Sequence, residues 1–158
     1  MSFYGISPVR FGSISMVTAT LGKNDPELGT RTTEGADEYV FVYNAGNSQI
    51  SVGQGAVITA TTGYSCTVSS LVGVDLPIGV CKHATLTTGT YGWLLTRGFS
   101  SAKAAASTAP AAGDILMLAT DGVWTVKSLS TGFMGNVNAK AMTATGSAGV
   151  CSAYFSIY

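Results

Sequence analysis

Charged side chains are scarce in this chain. Asp, Glu, Lys and Arg make up 10% of its 158 residues, against about 25% in ordinary soluble domains. Eight cations balance eight anions, so the formal net charge is zero. A surface with so little net charge is poorly protected from association. The composition therefore indicates either a β domain that tolerates a low-charge surface or a surface that other proteins cover.

The cations are also dispersed. A protein that binds a polyphosphate needs several clustered cations to release counterions, and such clusters usually stand beside aromatic residues. No basic run occurs here, and single cations stand at Lys82, Arg97, Lys103, Lys127 and Lys140. We therefore expect no nucleic-acid partner.

Long apolar runs are missing as well. No stretch approaches the ~20 apolar residues of a membrane-spanning helix, and residues 1–4 lack the basic and apolar regions of a signal peptide. The cysteines Cys66, Cys81 and Cys151 are an odd number without metal-ligand spacing. A free thiol in an apolar run usually acts as a small buried hydrophobe. These absences predict synthesis in a reducing cytoplasm, no membrane partner and no cofactor or metal.

Glycine is plentiful, and it punctuates a repeat. The apolar runs Gly55–Gly63 and Gly113–Gly122 both end in Ala-Thr-x-Gly, and these endings begin 59 residues apart. Further echoes follow at Gly79 and Gly135, and at Gly89 and Gly146. Solenoid repeats have periods of roughly 20–50 residues, so a longer period indicates two duplicated half-domains. We expect quasi-repeats over about 39–98 and 99–158 that close into one domain.

Short runs with turn residues between them predict an all-β fold, either a small single-domain β-barrel or a β-sandwich. Residues 28–44 read as a hairpin with its turn at Glu34–Asp37. Its return strand alternates Tyr39, Phe41 and Tyr43 with valines, which is typical of a strand covered on both faces. Asp121-Gly122 is a signal for a second, two-residue hairpin turn.

The remaining strands are expected at regular short spacing. The segment Ser101–Ser107 is ambiguous because its alanines favour a helix, but its place in the repeat matches a strand, which we favour. The expected strands lie at about 48–52, 55–60, 64–70, 78–83, 91–97, 100–107, 114–119, 123–128, 134–138 and 149–157.

Residues 1–27 differ from the rest of the chain. They combine proline, glycine and aromatic residues, and only residues 13–21 have enough β-branched character for a strand. Fully extended, such a segment would reach about 90 Å. We therefore divide the chain into an N-terminal arm, 1–27, and a barrel-like domain, 28–158. The arm either lies on a neighbouring subunit or folds back onto its own domain.

Few residues suggest chemistry. Cys81 and His83 would share one face of a strand, and a thiol beside an imidazole is the minimal nucleophile and base pair. No motif marks the thiol as activated, so we favour a buried cysteine and a rim histidine, and no enzymatic activity. Glu34, Asp37 and Glu38 could hold a hard cation through oxygens, but a solvated hairpin tip explains them better.

Trp93 admits two interpretations. An exposed indole can serve as a stacking platform for a sugar, whereas an indole in an apolar strand is usually a core or interface aromatic. The residues around it, Tyr91-Gly92-Trp93-Leu94-Leu95, favour the second interpretation. The first keeps a glycan-binding module open as an alternative function.

Several segments resemble a known family. These are Leu28–Arg31 followed by Glu38–Val42, then Gly89–Gly98 and Ala111–Leu116. In this order, with the duplicated halves, residues 28–158 resemble the capsid decoration, or cement, proteins of tailed bacteriophages. The resemblance implies a β-barrel-like virion protein on the outer surface of the capsid, often a homotrimer, which contacts several copies of the major capsid protein. It implies no catalytic residues.

The expected contact residues follow from exposure. We expect Phe3, Tyr4, Arg10 and Phe11 of the arm, together with Glu34 and Asp37 of the hairpin tip, to contact the capsid or another protomer. A subunit that straddles capsomer junctions would resist their separation. Besides a glycan-binding module, a head-fibre or tail-associated virion protein remains an alternative to the cement role.

Overall fold

A computed structural model describes residues 14–23, 25–59, 63–68, 77–127, 139–146 and 149–157. Within these residues the regular structure is eleven β-strands and one 3-10 turn, Thr120–Gly122, so the fold is all-β as predicted. The strands are β1 Val17–Thr18, β2 Arg31–Glu34, β3 Asp37–Asn44, β4 Gly55–Ile58, β5 Ser65–Val68, β6 Pro77–Val80, β7 Tyr91–Lys103, β8 Ile115–Leu118, β9 Trp124–Val126, β10 Ala139–Ala141 and β11 Val150–Ser156.

Five strands close a barrel, which we call the first lobe. Around the ring, β3 pairs with the first part of β7, β7 with β6, β6 with β4 and β4 with β5, all antiparallel. The parallel pairing of β5 with β3 completes the closure. Strand β2 extends the sheet by pairing with Asp37–Val40, the first part of β3, whereas β5 pairs with its last two residues. A closed ring leaves its strands without free edges.

The second lobe follows the same order of pairings. The last part of β7 pairs with β11, β11 with β10, β10 with β8 and β8 with β9, all antiparallel. A parallel bridge from Trp124 on β9 to Ala104, just beyond β7, brings the sheet back to its start. Four antiparallel steps and one parallel contact thus describe both lobes. The duplication of 39–98 and 99–158 stays a prediction, and a shared pairing order is what it would produce.

Strand β3 supplies both hydrophobic cores. Val40 and Val42 point into the barrel, while Tyr39 and Phe41 belong to the larger core that fills the second lobe and the space between the lobes. All four side chains are at most 1% exposed. The prediction of a strand covered on both faces is confirmed. Burying a side chain of this size contributes about 1.5–3 kcal/mol, so this short strand stabilises both lobes.

Strand β7 spans both lobes in thirteen residues. The sequence predicted two strands, 91–97 and 100–107, whereas the backbone runs through as one, with Gly98 at φ 129° between them. A Cβ at Gly98 would collide with the carboxylate of Asp37. The strand ends at Lys103, earlier than predicted, because the Ala105 N–H donates to Trp124 O and Thr108 then closes a turn on Ala105.

Both predicted hairpins are present. Glu34 pairs with Asp37 across a two-residue loop, in which Gly35 has a φ of 61°. Between β8 and β9 the loop has three residues, Thr120–Gly122, rather than the predicted two, because Leu118 pairs with Trp124 and the Ala119 N–H donates to Val123 O. Asp121 and Gly122 both have positive φ, 59° and 67°, which these two residue types adopt readily in turns.

Other boundaries differ from the prediction. Residues 48–52 form no strand, only an isolated bridge between Ile50 and Leu86. The Asn44 side-chain amide donates to Ser48 O and Leu86 O at 3.0 Å each. These two hydrogen bonds hold the segment as a loop. The predicted strand 134–138 lies outside the described residues.

The described end of the N-terminal arm lies on its own domain. Val17 pairs with Gly92 on β7, and Ile14 and Met16 pack against the larger core. These residues fold back onto their own domain, and the division into an arm, 1–27, and a barrel-like domain, 28–158, stays a prediction. The predicted contact residues Phe3, Tyr4, Arg10 and Phe11 lie outside the described residues.

Candidate interaction surface

The hairpin tip carries a polar cluster centred on Asp37. Its carboxylate forms an ion pair with Lys82 and accepts the Phe99 N–H at 3.3 Å and the Tyr39 hydroxyl at 3.3 Å. The backbone ladder between β3 and β7 ends where Glu38 pairs with Arg97. Beyond that point the Asp37 carboxylate, rather than a backbone carbonyl, accepts the Phe99 N–H of β7. The cluster joins three elements at the point where the lobes meet.

Ionisation in this cluster follows from its contacts. Burial raises the pKa of Asp37, but the hydrogen bond and charge of Lys82 outweigh it, and the net pKa lies below the usual 3.8. Burial raises the pKa of Tyr39, and the negative charge of Asp37 raises it further. At neutral pH, Asp37 is therefore an anion and the Tyr39 hydroxyl keeps its proton.

The candidate thiol and imidazole do not meet. Strand β6 ends at Val80, so Cys81 and His83 lie beyond it rather than on one strand face, which corrects the prediction. The Cys81 thiol donates to Ala84 O at 3.0 Å, whereas His83 Nε2 lies 2.9 Å from the Tyr39 hydroxyl. Burial raises the pKa of Cys81 to about 11. Its thiol is thus protonated at neutral pH, as in the preferred interpretation of a buried cysteine.

Next to the cluster, Arg97 links the two lobes on the surface. Its guanidinium pairs with Glu38 at 3.2 Å and donates to the Tyr154 hydroxyl at 3.2 Å. Tyr154 meets the exposed Phe99 edge to face, with ring centroids 5.0 Å apart. Sequence reasoning missed this arrangement because each contact joins two residues more than fifty positions apart. Only the strand register brings them together.

Charge is concentrated in this region. Of the sixteen charged residues, three of each sign lie on β2, the start of β3, the residues after β6 and the middle of β7: Arg31, Glu34, Asp37, Glu38, Lys82 and Arg97. A shallow open groove along β2 is lined by Arg31, Thr32, Thr33 and Glu38. Glu34 is exposed, whereas the Asp37 side chain is only 19% exposed. The contact role of both residues stays a prediction.

Neither tryptophan offers a stacking face. Trp93 is 6% exposed and packs on Phe41 at 5.0 Å between centroids. Trp124 is completely buried, and its Nε1 donates to Gly53 O at 3.0 Å. The interpretation of Trp93 as a sugar platform is therefore wrong, and the core interpretation is right.

Two of the three acidic residues of the hairpin form ion pairs within the protein. Asp37 and Glu38 face Lys82 and Arg97, and among the residues that the structure describes no cluster of three His, Cys, Asp or Glu side chains suits a metal ion. The same residues include no helix of the length and apolarity needed to cross a membrane.

Comparison with known proteins gives a fold. No family model and no curated protein matches this sequence. The structure is similar to that of the head fiber gp8.5 N base in bacteriophage phi29, with a TM-score of 0.54 and 12% sequence identity. The similarity covers 75% of this chain and 92% of that chain. At this identity the comparison shows a shared fold.

Proposed function

We propose that this chain is a structural protein of a bacteriophage head, bound to the outer surface of the capsid. The observation that carries the proposal is the fold shared with nearly the whole phi29 head-fiber base. The low charge and zero net charge of the chain are consistent with a surface covered by other proteins.

Within this class we favour a decoration, or cement, role at the junctions between capsomers, with the major capsid protein as partner and a homotrimer as the assembled form. A typical specific interface buries about 800 Å² per partner. A protein that holds two capsomers at once, and also holds its own copies, makes each further contact effectively intramolecular. Separating the capsomers would then require breaking several contacts together.

A second candidate is the base of a head fibre. It is favoured by what the phi29 protein is, namely the N base of a fiber. Both candidates attach to the outside of a head, and they differ in whether attachment stabilises the shell. We propose no catalytic role, since the Cys81 thiol is buried and bonded to a backbone carbonyl rather than to His83.

The test is direct binding to shells. Purified protein is mixed with expanded heads from a phage whose copy of this gene has been deleted, and the heads are pelleted. The proposal predicts saturable co-sedimentation, with no further uptake by heads that already carry the protein. Absence of binding would contradict it.

The same heads separate the two candidates. A cement protein raises the temperature at which the heads break open, which DNA release detects. A fibre base binds without changing that temperature. Sedimentation equilibrium of the free protein tests the expected trimer.

A further inference from the structure

The sheet of the second lobe has one face directed to solvent. Along β7, Ala102 is buried while Phe99 and Lys103 are exposed. Along β11, Ala153 is buried while Val150 is exposed. We call the solvent side of β7, β11, β10 and β8 the outer face.

Strand register builds a continuous row across the outer face. Phe99 on β7 pairs with Tyr154 on β11, Tyr154 with Lys140 on β10, and Lys140 with Ile115 on β8. At about 4.8 Å between strands, this row is about 14 Å wide. The aromatic pair therefore stands at one end of a row that ends in an aliphatic side chain.

The outer face mixes apolar and polar side chains. Phe99 is 55% exposed, Met142 47% and Val150 36%. The exposed serines Ser101 and Ser152 pair with each other between the Phe99–Tyr154 pair and the Lys103–Val150 pair. The apolar centre of the face is therefore the Phe99–Tyr154 pair, and an exposed apolar cluster with a polar rim is the kind of surface that marks an interaction site.

The charge of the outer face has one sign. Strands β7, β10 and β11 carry Arg97, Lys103 and Lys140 and contain no Asp or Glu. Arg97 is paired with Glu38 from β3, but Lys103 and Lys140 form no ion pair within the part of the chain that the structure describes. Most acidic residues of the described chain lie in or before the first lobe: Asp25, Glu27, Glu34, Asp37 and Glu38.

We propose that the outer face is the surface with which the protein docks onto an acidic, partly apolar protein surface of the phage head. The inference rests on the proposed function and names the docking face and the chemistry of its partner. Carboxylates of a partner would complement the exposed Lys103 and Lys140, and burial of the exposed Phe99 ring would favour binding. Complementary charge at the rim steers association and fixes orientation.

The outer face is smaller than a typical protein–protein interface. Four strands give a width of about 15 Å, but β8 and β10 have only four and three residues, so the face covers less than about 300 Å², against about 800 Å² for one side of a typical interface. The face therefore forms the centre of the contact, where a few well-packed aromatic residues carry most of the binding energy. Phe99, packed against Tyr154, is the central anchor.

A nucleic acid fits this face less well. Bases stack flat on an aromatic ring, but Phe99 and Tyr154 meet edge to face at 65°, so they do not form one flat platform. Two unpaired lysines also release few counterions. A protein surface would contact both the ring edges and the other exposed apolar side chains, Met142 and Val150.

The test compares variants of the outer face with control variants elsewhere in the chain, using heads that lack the protein. Phe99→Ser removes the anchor, and Ile58→Ser removes an apolar side chain of similar exposure, 49%, from the barrel. Lys103→Glu combined with Lys140→Glu reverses the charge, and Lys23→Glu is the control. Equal melting temperatures establish that each variant is folded.

The expected result is a loss of at least about tenfold in head affinity for Phe99→Ser and for the double lysine variant, with both controls unchanged. Wild-type affinity should fall as salt rises, and the double variant should lose that dependence. If the wild type does not bind heads, the proposed function fails, and this inference with it. If the wild type binds and the outer-face variants bind equally well, only the inference fails.

Two further results would overturn the inference by identifying another occupant. One is a wild-type oligomer that Phe99→Ser dissociates in sedimentation experiments, which would place a second copy on the face. The other is wild-type binding to a fluorescent oligothymidylate that Phe99→Ser abolishes, which would assign the face to nucleic acid.

Discussion

The two lobes share one order of strand pairings and differ in how the ring is closed. In the first lobe, the parallel step that closes the ring has two residue pairs, Tyr43 with Ser65 and Asn44 with Cys66. In the second lobe, a single bridge between Ala104 and Trp124 takes that place. The side chains differ accordingly. The barrel core is aliphatic apart from its cysteines, whereas the larger core contains Tyr39, Phe41, Trp93, Trp124 and Phe155.

The lobe with the shorter closure has a large aromatic side chain at that closure. Trp124, which forms the bridge, is completely buried, and its indole N–H donates to Gly53 O of the first lobe. The neighbouring Gln54 donates to Asp121 O at 2.6 Å. Residues 53 and 54 of the first lobe thus hold the β9 end of the second lobe in place by hydrogen bonds. Glycine at position 55 leaves room for the Trp124 ring.

The largest expected effect comes from removing that ring. Trp124→Ala should lower the free energy of unfolding by about 4 kcal/mol, because a fully buried aromatic side chain leaves a cavity. Guanidinium denaturation followed by circular dichroism measures the loss. Leu94→Ala in the barrel core is the comparison, expected at about 3 kcal/mol. A Trp124→Ala loss below about 1 kcal/mol would show that the ring does not close the second lobe.

The next effect tests the crossing point between the lobes. Gly98→Ala should cost about 2–3 kcal/mol, since it adds a clash with Asp37 to the strain of a positive φ. Gly113→Ala, also at positive φ but with open space around its Cβ, should cost only about 1 kcal/mol. Thermal unfolding of both variants measures the difference. Equal costs would remove the Asp37 contact from the explanation.

Thiol labelling tests whether the weaker closure makes the second lobe open first. Burial raises the pKa of all three thiols, to about 12 for Cys66 and about 11 for Cys81. Reaction with a maleimide at pH 8 therefore requires opening. We expect Cys151, in the second lobe, to react about tenfold faster than Cys66, a difference of about 1.4 kcal/mol in opening free energy. Mass spectrometry of timed samples gives the rates. Simultaneous reaction of all three would show global opening and no difference between lobes.

The smallest effect concerns pH. The folded-state pKa of Asp37 lies below its ordinary 3.8, so its ionised form stabilises the folded protein. This contribution is present above about pH 4 and is lost as the pH falls through the folded pKa. Asp37→Asn should remove about 1 kcal/mol at pH 7 and less at pH 2, where the carboxylate is more protonated. Urea denaturation at both pH values measures this. An equal loss at pH 2 would point to a packing defect instead.

Local patterns in the sequence predicted much of the fold. Glycine and aspartate at hairpin turns act within four residues, so the turns at Gly35 and Asp121-Gly122 could be recognised. The apolar residues on both faces of β3 likewise predicted that both faces of the strand are buried. The end of β7 could not be predicted, because it depends on Trp124, twenty residues away, which takes the Ala105 N–H.

The candidate surface was harder to predict than the fold. Phe99, Tyr154 and Lys140 belong to three strands, and their proximity is a property of register across the sheet. In the sequence, Phe99 falls between the two predicted strands 91–97 and 100–107, with nothing to mark it as an exposed strand residue. The exposed Glu34 could be placed from its turn. Asp37, in the same turn, could not, because its partners Lys82 and Phe99 are distant in the chain.

The two-sided strand β3 has a consequence for folding accuracy. A slip of one residue against β7 would turn its valines outward and force its aromatic rings into the narrow barrel. The same error would empty the aromatic positions of the other core. A misaligned β3 would therefore destabilise both cores together. The register of one eight-residue strand is thus specified by the packing of both lobes.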